Sequence, residues 1–365
     1  MIDWTIPIVI IFLLSAFLYL IIEQILLRKW RKSFRYVIHV NGIRGKSTVS
    51  RMIDGICRRA GYRVFTKTTG TIPQYINTAN QVHSIKRLGN ANIREQIKMI
   101  RKAYLEKAEV LILECMAVNP GLQQLSEQLI IRADIAIITN LRQDHLEEMG
   151  SSMDEIARSL GTMIPANKQL ICGEANAIWE EIALRKKTKI LIADKKENSS
   201  LLTNQENVEI ALAFARTVGI DEEVARQGIG SFHPDPGATK IWRKENTVFI
   251  NCFSVNDPQS TLKQIELAKK EFDLPLTYIL NSRSDRPSRI KQHIALLNTI
   301  KPTKVWLTGD ATGFVKKRLD PAIEVKVLKD VKELTADSLL FGFGNIANCG
   351  HQIIHFFQEG EEYHG

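Results

Sequence analysis

VNGIRGKST, residues 40–48, lies between a predicted strand and a predicted amphipathic helix of this 365-residue chain. A glycine-rich turn in this position directs backbone N–H groups and the start of a helix toward phosphate oxygens. Lys46 is then expected to reach the β- and γ-phosphates of ATP, and the Ser47 hydroxyl is expected to bind Mg²⁺. The stretch therefore predicts a nucleotide-binding domain built around a P-loop.

Short β-rich runs alternate with helical patterns on both sides of this loop. The runs at 110–114 (VLILE) and 135–139 (IAIIT) are continuously apolar, as in parallel strands that are buried on both faces. Alternation of this kind predicts a doubly wound α/β sheet. The predicted strands are 36–40, 64–67, 110–114, 135–139 and 189–193, and the predicted helices are 47–60, 93–107 and 208–218.

The pattern is interrupted at FHPDPG, residues 232–237, by two prolines and a glycine. We place a domain boundary there, with a P-loop ATP-binding domain over 31–235. Residues 236–365 are predicted to form a smaller, Rossmann-like α/β domain. Its predicted strands are 248–251, 276–280, 304–307 and 338–341.

Residues 6–27 form an apolar run about as long as the ~20 residues that a helix needs to cross a bilayer. A basic cluster at 28–35 follows the run, whereas a cleaved signal peptide carries its positive charge before the apolar stretch. We therefore predict a transmembrane anchor with a basic juxtamembrane segment over 1–30. The positive-inside rule places the catalytic body in the cytoplasm at the cell membrane.

The net charge of +9 favours anionic partners but does not distinguish nucleotides, lipids, nucleic acid and acidic polymers. Trp30 and Phe34 interleave the basic cluster, and beside a membrane span this pattern favours an interfacial anchor over a nucleic-acid site. The five cysteines include no CxxC pair, so neither a disulfide framework nor a zinc site is expected.

The compact loop G-x-x-G-K-[ST]-T, opened by Asn41, resembles that of the Mur ligases and folylpolyglutamate synthases. Enzymes of this superfamily use ATP to join an amino acid to a carboxylate. The resemblance implies that ATP contacts much of the loop. The residues implied are Asn41, Gly42, Arg44, Gly45, Lys46, Ser47 and Thr48.

Three further segments match the superfamily in the expected order. Glu114 ends an apolar strand and resembles a metal-binding glutamate. TNLRQDHL, residues 139–146, resembles a segment whose histidine, here His145, assists a second metal. NQEN, residues 204–207, resembles a motif whose second asparagine, here Asn207, holds the adenine. The resemblance thus implies Lys46, Glu114 and His145 as catalytic residues, with Ser47, Glu114 and His145 binding Mg²⁺.

Two positions depart from the superfamily pattern. Leu160 stands near the place where many Mur-type ligases carry a carbamylated lysine, so a second metal is expected to be held differently. Ala238 follows Gly237 where an arginine is expected. We suggest Lys240 as the substitute cation for the γ-phosphate.

A narrower resemblance is to the ligase subunits of poly-γ-glutamate synthases. It rests on the apolar N-terminal segment and on the order of several short motifs along the chain. It implies that glutamate and a growing poly-γ-glutamate chain are the substrates and that small membrane proteins are partners. The motifs are KTTGT at 67–71, ECMAVNP at 114–120, PDPGA at 234–238, NDP at 256–258, Arg283 with DRP at 285–287, and GFGNIAN at 342–348.

By this resemblance, ATP phosphorylates a γ-carboxylate and the amine of the next glutamate attacks the acyl phosphate, releasing ADP and phosphate. Arg283 and Arg286 are candidates for binding substrate carboxylates, since guanidinium groups bind carboxylates bidentately. A solvated loop beside Asp285 is an equally good interpretation of this pair.

Two other functions stay open at this point. One is a Mur-type ligase that extends a different acidic acceptor. The other is a P-loop membrane ATPase that supports export. Release of ADP that depends on glutamate would distinguish a ligase from a motor.

The predicted topology has a direct test in intact cells. We expect a protease added outside the cells to leave the body after residue 35 uncut, because the basic cluster holds it on the cytoplasmic side. Cells opened with detergent are the control, and there the same protease should degrade the body. Cleavage of the body in intact cells would contradict the topology.

Overall fold

A computed structural model describes residues 5–70, 72–87, 89–144, 146–194, 200–202, 204–235, 237–255, 257–336 and 339–363. The chain divides into two compact units. The first comprises Met1–Lys195 and Asn207–His233, and the second comprises Lys196–Glu206 and Pro234–Gly365. Leu201 lies in the apolar core of the second unit, so part of the segment before residue 207 packs there rather than with its sequence neighbours.

The first unit contains an eight-stranded sheet within its described residues, in the order β4-β3-β2-β5-β1-β6-β7-β8. All neighbours pair in parallel except β2 with β3 and β3 with β4. The strands are β1 (Tyr36–Asn41), β2 (Val64–Thr68), β3 (Gln74–Ile76), β4 (Val82–Ser84), β5 (Val110–Glu114), β6 (Ile135–Ile138), β7 (Gln169–Cys172) and β8 (Lys189–Ile192).

Helices cover both faces of this sheet. Ile38 and Val40 of β1 point into a core shared with the helices at residues 46–59 and 205–218, whereas Val37 points into a core shared with the helix at residues 95–105. This alternation follows from the two-residue period of a strand. The helices are α1 (Thr5–Arg31), α2 (Lys46–Arg59), α3 (Glu95–Leu105), α4 (Pro120–Leu125), α5 (Leu146–Met149), α6 (Met153–Gly161), α7 (Ala177–Arg185), α8 (Gln205–Val218) and α9 (Glu222–Gly230), and a π-helical segment, Ser126–Ile131, continues α4.

The second unit contains a seven-stranded sheet within its described residues, in the order β13-β12-β11-β14-β10-β9-β15. Its five strands from β13 to β10 are parallel, and β9 and β15 add an antiparallel edge. The elements are β9 (Lys240–Lys244), β10 (Thr247–Cys252), α10 (Pro258–Glu271), β11 (Leu276–Ser282), α11 (Pro287–Ile300), β12 (Lys304–Gly309), α12 (Thr312–Lys316), β13 (Glu324–Val327), a 3₁₀ segment (Val331–Ala336), β14 (Leu339–Phe343), α13 (Cys349–Gln358) and β15 (Glu361–Tyr363).

The predicted fold class is confirmed: two α/β units follow an apolar N-terminal helix. The strand at 110–114 has the predicted bounds, and the other predicted strands form within one or two residues of theirs. Of the strand predicted at 338–341, residue 338 lies outside the described residues. Six strands were not predicted: β3, β4, β7, β9, β13 and β15. Strands β3, β4, β13 and β15 are three or four residues long and partly exposed, so they lack the apolar run of a buried strand. Strand β7 is buried but only four residues long, and three of the five residues of β9 are charged, so neither gives a clear apolar run.

Helix α1 has two parts with different surroundings. Residues 6–22 are exposed along their length, and this is the only described helix long and apolar enough to cross a membrane. The last turns instead pack on the body, where Leu27 is 2% exposed and the Arg31 guanidinium pairs with Asp134 at 2.5 Å. The apolar run predicted over 6–27 is therefore part exposed helix and part core. Phe34 is buried in the same core and Trp30 packs against it, so the expectation that these two aromatic residues form an interfacial anchor is wrong.

A buried ion pair joins β1 to the π-helical segment. His39 Nδ1 lies 2.8 Å from Glu127 Oε2, and Glu127 Oε1 accepts a hydrogen bond from the Ala133 N–H at 2.8 Å. Burial alone would lower the pKa of His39, but the contacts with Cys115 and Glu127 raise it to about 9. A pKa raised in this way favours the cationic form of His39 in the folded protein at neutral pH.

This pair gives a testable pH dependence. A folded-state pKa above the unfolded value stabilises the protein below the unfolded pKa of about 6.5, and that stabilisation is lost as the pH rises through about 9. Between pH 7 and pH 9.5 we expect the wild type to lose stability relative to Glu127→Gln by at most about 1.4 kcal/mol per pH unit. Denaturant unfolding at each pH measures this difference, and parallel pH profiles for the two proteins would contradict the charged pair.

Candidate active site

The predicted phosphate-binding loop, residues 40–48, lies at the carboxyl end of β1 and has the backbone shape that its glycines permit. Gly42 has φ +127° and Gly45 has φ +77°, values that side-chain-bearing residues rarely adopt. A Cβ atom at Gly42 would collide with Thr139, and one at Gly45 would collide with the Asn207 side chain. The loop is therefore closely surrounded by β6 and α8.

Lys46 spans this loop. Its ammonium donates hydrogen bonds to the carbonyl oxygens of Gly42, at 2.7 Å, and of Ile43, at 3.3 Å. Burial lowers the pKa of Lys46, and the nearby charge of Glu114 opposes that shift. The amine is thus held inside the loop, where a phosphate group bound by the backbone N–H groups would meet it.

Ser47 and Glu114 meet at the same sheet edge. Strand β1 leads through the loop to Ser47 in α2, and Glu114 ends β5; β1 and β5 are parallel neighbours with Val40 opposite Glu114, which sets this position. The Ser47 hydroxyl donates a hydrogen bond to Glu114 Oε2 at 2.8 Å, and the Thr69 N–H donates to the same oxygen at 2.6 Å. A hydroxyl and a carboxylate oxygen beside a phosphate site are donors that suit Mg²⁺.

A buried polar network lies behind Glu114. The Gln96 side chain donates a hydrogen bond to the Glu114 carbonyl oxygen at 3.0 Å. Next to it, Lys67 pairs with Glu95 at 3.0 Å and Arg87 binds the same carboxylate at 2.7 Å. Sequence analysis missed this network. The sequence signal that could have found it is Lys67, a lysine within the predicted strand 64–67. The Lys67 side chain is fully buried.

The Thr-Asn pair at 139–140 holds the loop from the side of β6. The Thr139 hydroxyl and the Asn140 amide both donate hydrogen bonds to the Arg44 carbonyl oxygen, at 2.5 and 3.1 Å. Asn140 Oδ1 accepts a hydrogen bond from the Arg44 N–H at 2.9 Å. The Arg44 guanidinium is in turn bound to Asp144 at 2.8 Å. Residues 139–144, which precede the predicted metal ligand at position 145, therefore also hold the loop in shape.

The two asparagines predicted to bind ATP have different surroundings. Asn41 donates a hydrogen bond to Gln123 at 2.8 Å and is buried, so it ties the end of β1 to α4. Asn207 lies near the start of α8 at the Gly45 turn, and its buried side-chain oxygen has no hydrogen-bond partner among the described residues. An unused buried acceptor is costly and fits a site that accepts a hydrogen bond from a ligand.

Comparison with known proteins identifies the family of this chain. Residues 40–232 match the family model of the Mur ligase middle domain, and residues 238–360 match that of the poly-γ-glutamate synthase CapB C-terminal domain. The capsule biosynthesis protein CapB of Bacillus anthracis is 32% identical over 94% of this chain and 80% of its own length. The chain belongs to the CapB family of poly-γ-glutamate synthases.

PGA synthase CapB of Bacillus subtilis (strain 168) is likewise 32% identical, over 88% of this chain and 90% of its own length. Among solved structures, a bifunctional folylpolyglutamate synthase/dihydrofolate synthase with Mn, AMPPNP and L-glutamate bound has a TM-score of 0.68 at 16% identity, covering 90% of this chain and 91% of that chain. This CapB family member is therefore an ATP-dependent ligase with the fold of the Mur ligases and folylpolyglutamate synthases.

Few candidate metal-binding side chains lie at this site. The described part of the chain contains no group of three or more His, Cys, Asp and Glu side chains that could hold a metal ion. His145, the predicted second-metal ligand, lies outside the described residues. Leu160 is fully buried in an apolar core, so no charged group stands at that position. A metal bound here would use Ser47, Glu114 and the phosphates themselves, as Mg²⁺ does in many nucleotide sites.

The predicted substrate arginines lie in the second unit, after β11. The Arg283 guanidinium binds the Asp285 carboxylate through two hydrogen bonds, at 2.9 and 2.6 Å, and Arg286 lies 4.0 Å from the same group. The hydrogen bond from Arg283 lowers the pKa of Asp285. A substrate carboxylate would have to compete with Asp285 for these arginines.

Lys240, suggested above as a γ-phosphate cation, binds Glu362 at 2.8 Å. That contact joins the two antiparallel edge strands, β9 and β15, and gives Lys240 a structural role in the second unit.

The position of Lys46 predicts a selective loss of chemistry on mutation. We expect Lys46→Ala to lower ATP turnover by at least about a hundredfold, because the substitution removes a positive charge aimed at the transferring phosphate. Lys291→Ala, an exposed lysine of α11, is the matched control and should behave as the wild type. Circular dichroism checks that the Lys46 variant folds, and near-normal turnover by that folded variant would contradict the phosphate-binding role of the loop.

Proposed function

We propose that this ligase extends poly-γ-glutamate by forming γ-glutamyl amide bonds through an acyl phosphate. One observation carries the proposal: Lys46, Ser47 and Glu114 meet at the carboxyl edge of the sheet in a chain 32% identical to a protein named PGA synthase. The substrates are ATP, glutamate and the carboxyl-bearing chain, and the products are the lengthened chain, ADP and phosphate.

In the first half-reaction, a γ-carboxylate oxygen attacks the γ-phosphorus of ATP. The new P–O bond forms as the bond to the β-phosphate oxygen breaks, and ADP leaves with that electron pair. Lys46 reduces the repulsion between the carboxylate and the triphosphate. It also stabilises the negative charge that develops on the phosphoryl oxygens in the transition state. Ser47 and Glu114 would hold Mg²⁺, which supplies further neutralisation of the phosphates when bound.

In the second half-reaction, the neutral amine of the incoming glutamate attacks the acyl carbon. A C–N bond forms, the C–O bond to phosphate breaks, and inorganic phosphate leaves as the nitrogen loses one proton. Phosphorylation is needed because a free carboxylate is a poor electrophile. Exclusion of water from the acyl phosphate keeps hydrolysis from competing with the amine.

The adenine and the substrate carboxylates are assigned to the remaining candidates. We assign the adenine amino group to Asn207, because its buried side-chain oxygen is an acceptor without a described partner. Arg283 and Arg286 are our candidates for substrate carboxylates, which would replace Asp285 as their partner. The net charge of +9 favours encounter with a polyanion, and salt weakens that attraction.

We further propose that helix α1 anchors the enzyme in the cell membrane and that the body lies in the cytoplasm. The exposed apolar residues 6–22 support a membrane span, and the basic residues that follow them support the orientation. Small membrane proteins that accept the polymer are the expected partners. Nucleic acid is not an expected partner.

The reaction is tested with purified protein in detergent, ATP, Mg²⁺ and labelled glutamate. We expect glutamate to stimulate ADP release, aspartate to do so weakly, and the labelled product to contain γ-linkages. Aspartate is a poor substitute because one missing methylene moves its carboxylate out of the reacting position. Equal stimulation by aspartate would point to another acidic acceptor, and ADP release without any amino acid would point to a membrane ATPase.

Three variants separate the parts of this site in the same assay. Glu114→Gln should raise the Mg²⁺ concentration required for half-maximal rate, because the carboxylate charge is lost. Arg283→Ala and Arg286→Ala should each weaken glutamate-stimulated ADP release by about tenfold while leaving ATP binding unchanged. Unchanged glutamate dependence in both arginine variants would remove them from the substrate site.

A further inference from the structure

Helix α1 runs beside α3 in the same direction. Glu23 of α1 binds Arg94, the residue before α3, at 2.5 Å. Further along both helices, near their C-terminal ends, the rings of Trp30 of α1 and Tyr104 of α3 lie 6.3 Å apart. Two contacts in the same order along both helices establish that they are parallel.

The ends of α3 are in turn fixed relative to the sheet. At its start, Glu95 pairs with Lys67 near the end of β2, and Gln96 donates a hydrogen bond to the carbonyl oxygen of Glu114 at the end of β5. At its other end, α3 leads within a few residues to Val110, where β5 begins. Helix α3 therefore starts at the carboxyl edge of the sheet and finishes at the amino edge.

The same direction then holds for α1. Its last residue, Arg31, lies at the amino edge, where it binds Asp134 just before β6 and leads into the start of β1. Glu23 lies level with the carboxyl edge. Residues 6–22 extend from there, away from the amino edge, over about 26 Å at the helical rise of 1.5 Å per residue.

We propose that the carboxyl edge of the sheet, which carries the phosphate-binding loop, faces the bilayer and contacts anionic phospholipid headgroups. The inference rests on the membrane span proposed above. About 26 Å of exposed apolar helix is close to the ~30 Å of a hydrocarbon core, so the membrane surface falls near Glu23. Exposed residues on this side suit a headgroup layer: Lys86 follows β4, Arg94 precedes α3 and keeps about half of its side chain exposed beside Glu23, and the apolar Ile72 follows β2.

The packing of α1 makes this orientation a property of the fold. Leu27 is buried in the core shared with α3, and the Glu23–Arg94 and Arg31–Asp134 pairs hold the helix at both ends of the contact. The helix thus continues from its exposed part into the body without an intervening flexible linker. A γ-carboxylate activated at the loop would react close to the membrane surface, where an acceptor for the finished polymer would be found.

Fluorescence quenching at two engineered cysteines tests the orientation in the full-length protein. Cys349→Ser removes the one native cysteine that is not buried. Lys86→Cys then labels the carboxyl edge, and Ala166→Cys, an exposed position before β7, labels the amino edge. The proteins are reconstituted in vesicles of anionic phospholipid that contain a lipid with a nitroxide on its headgroup.

We expect quenching at position 86 to exceed that at position 166 by at least about twofold, because strands of this length separate the two edges by about 17 Å. Neutral vesicles with the same nitroxide lipid should give weaker quenching at position 86.

Quenching at position 86 that is equal to or weaker than quenching at position 166, in protein that floats with the vesicles, would overturn the orientation alone. Protein that does not float would overturn the membrane span and this inference together, and glutamate-stimulated ADP release tests the ligase assignment separately.

Discussion

The parallel pairing of β1 with β5 is the constraint on which the site depends. Parallel neighbours end at the same edge, and this register puts Val40 opposite Glu114. The turn after β1 therefore delivers Ser47 to within 2.8 Å of that carboxylate. A slip of one residue would turn Glu114 to the other face of the sheet, where it could not meet Ser47. The continuous apolar burial of both strands resists such a slip, so the core and the site share one cause.

The loop itself is held by side chains that do not face its centre. Asn140 and Thr139 bind the Arg44 backbone, and Asp144 binds the Arg44 guanidinium. Such a shell keeps the loop N–H groups in position before a nucleotide arrives, which lowers the cost of ordering them during binding. It also explains why the loop can use two glycines with positive φ: the surrounding contacts hold a backbone that would otherwise be flexible.

Helix α1 belongs in part to the fold of the first unit. Its exposed part has the length and composition of a span, yet Leu27 and Arg31 are core and ion-pair residues of the first unit. The parallel course of α1 and α3 links the direction of the span to the direction of the strands. The direction of the candidate span and the placement of the loop are thus coupled through one helix–helix contact.

Sequence by itself was sufficient for features with a local pattern: the loop at 40–48, the strand ending at Glu114, the apolar N-terminal helix and the alternation that predicts an α/β sheet. These follow from short-range periodicity and glycine chemistry. Only the tertiary structure showed that Arg283 is already bound to Asp285. It also showed that Lys67 pairs with Glu95 next to Glu114, and that α1 extends past the carboxyl edge of the sheet. The pairing of Lys67 with Glu95 and the direction of α1 depend on contacts between residues far apart in the chain, and no local pattern encodes which distant group a charged side chain meets or which way a packed helix runs.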